Sequence, residues 1–293
     1  MLSQVIAILL PVFSLVLVGF WVGKTMNINF APINRLNIDV FVPALVFSSL
    51  VAMPLNMSQG PLIIAALSVL LLPGVLFICL APKSMNFKSW APTLMFRNSG
   101  NLAIPLFGYA FGAVAAEAAV LLFVVSTCLH VIFGSLILSN QRGWQNLVSA
   151  FKTPLFIAAL AAITLNLGQV HIYQPIAEAT QLLGQAAIPV MLLALGSQMT
   201  QLQLDGLKIG LINIGLSLLT GAVSFTLVYL FIPLPSLHLK MILLFSMLPP
   251  AVMNYLYAER YQNEPHKVAA MVLFGNASAL VSLPILLLIS LSL

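Results

Sequence analysis

Residues 96–106 read FRNSGNLAIPL, and their side chains can do chemistry that the apolar residues around them cannot. The carboxamides of Asn98 and Asn101 each offer a donor and an acceptor to a ligand, while Ser99 and Gly100 let a helical turn unwind. A second polar interruption, SMLPPAVMNYLYAERY at 246–261, carries Pro249 and Pro250 in mid-segment and Asn254 after them. Proline lacks the N–H that would bond four residues back, its ring clashes there, and the residue before it is driven toward extended geometry. A half-helix starting after Pro105 would aim its positive N-terminal end at the first break, which favours an anion. Arg97 has two readings: a bidentate clamp for a carboxylate, or a side chain snorkelling to the inner interface.

The elements that must position these residues are membrane spans. The chain has 293 residues, of which 61% are hydrophobic and 6% charged. Its mean hydropathy is +1.10, and ordinary soluble domains are roughly 25% charged. Apolar blocks of about 20 residues match the thickness of a hydrocarbon core, and the period-two alternation of a membrane β-barrel is absent. The expected spans are 3–23, 34–53, 61–81, 90–112, 116–139, 153–169, 175–198, 207–232, 238–258 and 266–291. Both interruptions therefore fall inside spans, the fourth and the ninth. At membrane depth each unbonded backbone group costs several kcal/mol against lipid, so the breaks must face protein or a water-filled cavity.

Lysine and arginine set the orientation. With the N-terminus outside, Lys24, Arg35, Lys83, Lys88, Arg142, Lys152, Lys208, Arg260 and Lys267 fall on the inner side and Lys240 alone on the outer. That division predicts a multi-pass protein of a cell membrane with both termini outside. Residues 1–23 lack a basic region ahead of the apolar run, so they read as a first span rather than a signal peptide. The domain expectation is one five-span repeat over 1–139, a cytoplasmic linker over 140–152 and an inverted repeat over 153–293. VPALVFSSLVAMPL in span 2 resembles IPVMLLALGSQMTQL in span 7, and AEAAVLLFVVS in span 5 lines up with HKVAAMVLFGN in span 10. In a transporter built from inverted repeats, matched interrupted spans mark the binding site.

Other charged groups narrow the function. The basic residues are scattered and form no stripe for nucleic acid. Cys79 and Cys128 lie in apolar blocks and behave as small hydrophobes. Asp39 follows Arg35 by four residues, which suits a surface ion pair better than a proton site. His130, in the apolar centre of span 5, is a coupling candidate that fits a buried, hydrogen-bonded role better. Glu259 and Arg260 close span 9 as gate or interface charges. A cation/proton antiporter would need carboxylates at the crossing of the breaks, and Asp and Glu are missing there. A membrane protease would need a Ser/His pair, paired acids or a zinc set, and the histidines at 130, 171, 238 and 266 have no such spacing. A channel or sensor is the remaining alternative, against which the matched breaks argue.

NSGNLAIP resembles the N-x-G-N-x-x-(I/L)-P signature of the auxin efflux carrier family of permeases, and LPPAVMNYLYAERY is similar to that family's ninth-span segment. The resemblance extends over the whole chain in span number and repeat order, as in compact bacterial members that carry malonate or malate. It implies an all-α fold like those of sodium/proton antiporters and bile-acid symporters, with spans 4 and 9 crossing at unwound centres. Spans 1, 2, 6 and 7 would form a scaffold, through which a homodimer could pair, and the other six a moving transport domain. Asn98, Asn101 and Pro105 match the family's span 4 motif and Pro249 a span 9 proline. Asn254 stands where plant exporters keep their crossover proline, so Pro250 is the candidate for that role. The expected substrate is a small organic anion, a mono- or dicarboxylate that is auxin-like or malate- or malonate-like, carried without a cofactor and driven by the membrane potential or by sodium or proton coupling.

Overall fold

A backbone removed from water must bond to itself, and a helix does so within one segment, so the apolar runs fold as helices. The computed structural model describes residues 2–26, 28, 30–53, 59–138, 145, 148, 151–200 and 206–293. The helices are α1 (Leu2–Thr25), α2 (Phe30–Ala52), α3 (Gly60–Leu80), α4 (Phe87–Met95), α5 (Ile104–Phe111), α6 (Ala113–Leu138), α7 (Pro154–Leu167), α8 (Gln174–Met199), α9 (Leu207–Phe231), α10 (Ser236–Met247), α11 (Met253–Tyr261) and α12 (Pro265–Ser292). No strand occurs among the described residues, and the chain is an all-α, multi-pass membrane protein.

Seven helices, α1, α2, α3, α6, α8, α9 and α12, are long and apolar enough to cross a membrane by length and composition. The other three expected spans look different. The one at 153–169 is α7, with 14 residues, whose rise of about 21 Å is less than a hydrocarbon core of about 30 Å. Those at 90–112 and 238–258 are each two short helices around a break, α4 with α5 and α10 with α11. The linker expected at 140–152, Arg142 included, lies outside the described residues apart from Gln145, Val148, Phe151 and Lys152.

Packing separates two groups of helices. α8 lies against α1 and α2, and α7 against α2. Two glycines bring α1 and α8 into backbone contact. A Cβ added at Gly19 would lie 2.1 Å from the Leu193 carbonyl oxygen, and one at Gly196 1.9 Å from that of Val16. In lipid no hydrophobic force drives helices together, so such close approach supplies the dispersion that holds the pair. In the second group α9 packs against α12, α3, α10 and α4, and α6 against α5 and α3. The buried stripe of α9 is Gly210, Asn213, Ser217, Thr220, Gly221, Ser224 and Val228. Its Leu211, Leu219, Leu230 and Phe231 face outward. The helix thus presents leucine to lipid and its small and polar residues to protein, where they can be bonded.

The α1–α8 contact predicts a contrast between two glycines. Gly196→Leu should force the pair apart and destabilise the fold by about 1–3 kcal/mol or more, as overpacking does. Gly215→Ala, at a glycine with open space around it, should leave thermal unfolding of the purified protein unchanged. Equal melting of the two variants would refute the contact.

Candidate site at the crossing of two broken helices

α10 ends at Met247 because Leu248, which precedes Pro249, takes φ −58° and ψ 153°, the extended geometry a following proline imposes. α4 ends at Met95, and Phe96 is also extended, at φ −96° and ψ 108°. The two extended arms meet, antiparallel, around the pair Arg97 and Pro250. The Asn98 N–H donates to the Pro249 carbonyl at 2.8 Å, and the Ala251 N–H to the Phe96 carbonyl at 2.9 Å. Each break therefore supplies the backbone partners that the other lost. Two successive prolines help, because they bring no N–H groups that would need partners at this depth.

Side chains bond what the backbone pairing leaves over. Asn276 of α12 donates through Nδ2 to the Pro250 carbonyl at 3.0 Å. Its Oδ1 accepts from Asn98 Nδ2 at 2.6 Å. Asn254 donates through Nδ2 to the Phe96 carbonyl at 3.0 Å, and its own Oδ1 is buried without a protein partner. Gly275 leaves room for the Pro250 ring, whose Cδ would lie 2.5 Å from an added Cβ. On the first arm a π-helical turn, Ser99–Ala103, leads into α5, with Pro105 in the first turn of that helix where no donor is needed. Asn101 lies in this turn and is half-buried, and no described hydrogen bond engages its carboxamide. Neighbouring Gly100 lies against Phe123 of α6 and Met191 of α8.

Arg97 matches neither expectation from the sequence. It is 1% exposed, so it does not snorkel, and its terminal nitrogens already have partners, so it is not a free clamp. Nη1 donates to Ser217 Oγ and, at 3.4 Å, to the Leu248 carbonyl. Nη2 donates to the Ser217 carbonyl at 3.2 Å, and Nε has no protein partner. No carboxylate pairs with it among the described residues, where the ion pairs include Arg35 with Asp39 and Lys267 with Glu264.

The coupling and gating candidates scatter. His130 is buried next to the crossing, stacked on Phe96 at 4.0 Å and 5°, with the Tyr257 ring centroid 4.8 Å away. Asp39 sits far from the breaks in sequence and environment, in an exposed pair with Arg35 at 3.5 Å. Glu259 is exposed at the end of α11 and accepts from the Tyr255 hydroxyl at 3.0 Å. Beyond α11, Lys267 and Ser89 both bond the Glu264 carboxylate and hold its pKa below the ordinary value. Stabilisation from that contact is present above the ordinary carboxylate pKa and is lost as pH falls through the lowered one.

A cavity of about 850 Å³ opens between the end of α8, the start of α9, α11 and α12. Gln198, Tyr255, His266 and Lys267 line it, and it reaches Val252, two residues beyond Pro250. None of the residues expected to bind substrate lines this cavity. Pro249 and Pro250 instead border a gap of about 10 Å³ with Ser217, Ser278 and Ser282, about the space of one water.

Asn276, Ser217 and Asn213 escaped the sequence reading. Each is a single polar residue in an apolar span, and such a residue is usually an ordinary interhelical bond. One signal was available: Asn276 occupies the place of Ser126 in the alignment of spans 5 and 10, and both are buried polar groups. Asn213 and Ser217 stand four apart, on one face of α9, and Asn213 Nδ2 donates to Thr93 Oγ1 of α4 at 2.7 Å. The bond between Asn98 and Asn276 predicts coupled losses. Asn276→Ala should destabilise the protein by about 1–3 kcal/mol, as loss of a buried partner does, and Asn98→Ala combined with it should add less than its separate effect. Additive losses in thermal or denaturant unfolding would show that the two amides act apart.

Comparison with known proteins bears on the second half of the chain. Residues 143–287 match the model of a family described as membrane transport protein, a range that includes Pro249, Pro250, Asn254 and Asn276 and ends within α12. No curated protein matches the chain. With its helices and its two paired breaks, the chain is similar over this range to the membrane transport protein family, that of the auxin efflux carriers.

Proposed function

We propose that this transporter is a secondary carrier of a small organic anion, a mono- or dicarboxylate, working by alternating access around the crossing of the two breaks. The observation that carries this reading is the mutual bonding of the breaks through Asn98 with Pro249 and Ala251 with Phe96. It leaves the N-terminal ends of α5 and α11 directed at one place, with the partial positive charge that favours an anion. The carboxamide of Asn101 lies in the turn ahead of α5 and is free to engage a ligand.

The ten-span, inverted-repeat arrangement is part of the reading, with N- and C-termini outside. It is supported by a relation that recurs in both halves. An added Cβ at Gly74 of α3 would lie 2.5 Å from Met95 Sδ, at the end of α4, and one at Gly221 of α9 would lie 2.3 Å from the Ser246 carbonyl, near the end of α10. In each half the third span thus uses a glycine to approach the last turn before the break. α1, α2, α7 and α8 serve as the scaffold and the remaining helices as the moving part. The seam between them runs where α8 meets the π turn, α1 meets α5 and α12, and α2 meets α6. Asn101 stands in that turn, so sliding along the seam would change its surroundings.

Among the described residues no acid stands at the crossing, which disfavours a sodium- or proton-coupled cation antiporter. A membrane enzyme is disfavoured in the same way, since the described histidines, cysteines and acids form no metal-binding group and His130 is packed against the Phe96 and Tyr257 rings.

Uptake of radiolabelled mono- and dicarboxylates into proteoliposomes, with sodium and pH varied independently, tests this function. At least one anion is expected to show saturable uptake. Asn101→Ala should lower it by about tenfold or more, the effect of losing a polar contact worth roughly 1.4 kcal/mol or more, without changing the unfolding temperature. Saturable uptake of a cation and of no anion would overturn the proposal.

A further inference from the structure

The crossing contains a group that the carrier reading leaves without a task. Arg97 is the largest fully buried side chain among the described residues, carries a charge, and has no carboxylate paired with it among those residues. What it does have is a set of oxygens: Ser217 Oγ, the Ser217 carbonyl and the Leu248 carbonyl. Leu248 caps the C-terminal end of α10, where the unbonded carbonyls of the last turn concentrate partial negative charge. α4 also points its C-terminal end at this place. Converging carbonyl and hydroxyl oxygens at the ends of half-helices are the ligands that interrupted transporter helices offer to an alkali cation. Small hard cations take oxygen donors of this kind. Space for one small particle adjoins Ser217, in the gap of about 10 Å³ lined also by Pro249 and Ser278.

We propose that the Arg97 guanidinium is a tethered cation occupying an alkali-cation site at the crossing, and that the protein needs no mobile sodium ion there because it carries this charge itself. The negative ends of α4 and α10 and the oxygens of Ser217 and Leu248 require a positive charge if the two arms are to stay together. A charge fixed in the chain meets that requirement in every conformation. The positive ends of α5 and α11 are then left for the substrate. Removing the guanidinium should leave the oxygens in place, with room for sodium or lithium.

The consequence for transport rests on the carrier reading, but the site can be tested with no substrate. Thermal unfolding of the purified full-length protein is compared in choline, potassium, sodium and lithium chloride at equal ionic strength. The wild type should unfold at one temperature in all four. Arg97→Ala should unfold several degrees lower in choline chloride and recover, saturably, in sodium or lithium chloride, whereas Arg97→Lys should keep its stability in choline. A saturable sodium or lithium shift in the wild type would overturn the proposal. So would a folded Arg97→Ala that responds to none of the cations. If Arg97→Ala does not fold, Arg97→Gln is used in the same salts, and failure of both even when prepared in sodium also overturns it, because the vacated oxygens should then have been refilled. Failure of the anion-carrier reading would appear in the uptake assay and leave these melting curves unaffected.

Discussion

Two helices that break within a membrane can persist only if their freed backbone groups find partners, and here they find them in each other. The arms around Arg97 and Pro250 exchange two backbone hydrogen bonds. One break alone would leave carbonyls exposed to an environment that cannot bond them, at several kcal/mol each. The constraint is mutual, so the breaks have to lie at the same depth and cross. Much of the surrounding structure follows from it: α12 must pass close enough for Asn276 to reach the Pro250 carbonyl, and α9 must place Ser217 beside the guanidinium.

The same constraint explains why α9 keeps its polar residues on the inner face. α9 turns Asn213, Ser217 and Ser224 inward and Leu211, Leu219 and Leu230 outward. In water this distribution would be reversed, but in a bilayer apolar contact between helices gains nothing over contact with lipid tails. Packing then depends on close approach and on hydrogen bonds. Gly19 with Gly196 serves the first need between α1 and α8, and the asparagines around the crossing serve the second. Such a core is held by few, directional contacts, which suits the proposed shift of one group of helices against the other.

A good deal of this was legible in the residues. Apolar blocks of spanning length gave the helices, and Pro249, Pro250 and the Gly100 region located both breaks to within a few residues. The interpretation of individual side chains fared differently. Asn98 and Asn254 look like ligand-binding carboxamides in isolation, and in the fold both are engaged with the opposite arm or with α12. Arg97 could be a clamp or a snorkelling charge by position alone, and it is neither, because its neighbours are Ser217 and Leu248, 120 and 151 residues away. Asn276 carried almost no signal, since one asparagine in an apolar span looks the same whether it bonds a neighbouring turn or closes a site.

Sequence by itself determined the local and periodic properties: which stretches avoid water, where a helix cannot continue, and which loops carry positive charge. These depend on hydrophobicity, on the missing proline N–H and on composition, all of which are properties of single residues or short windows. Tertiary structure alone decided which group answers which. The pairing of Phe96 with Ala251 and of Asn98 with Pro249 joins segments some 150 residues apart, and nothing in either segment specifies the other. The physical reason is that a hydrogen bond is satisfied by geometry rather than by sequence neighbourhood, so whether a polar side chain in the membrane is free for substrate or already occupied is settled only when the arms meet.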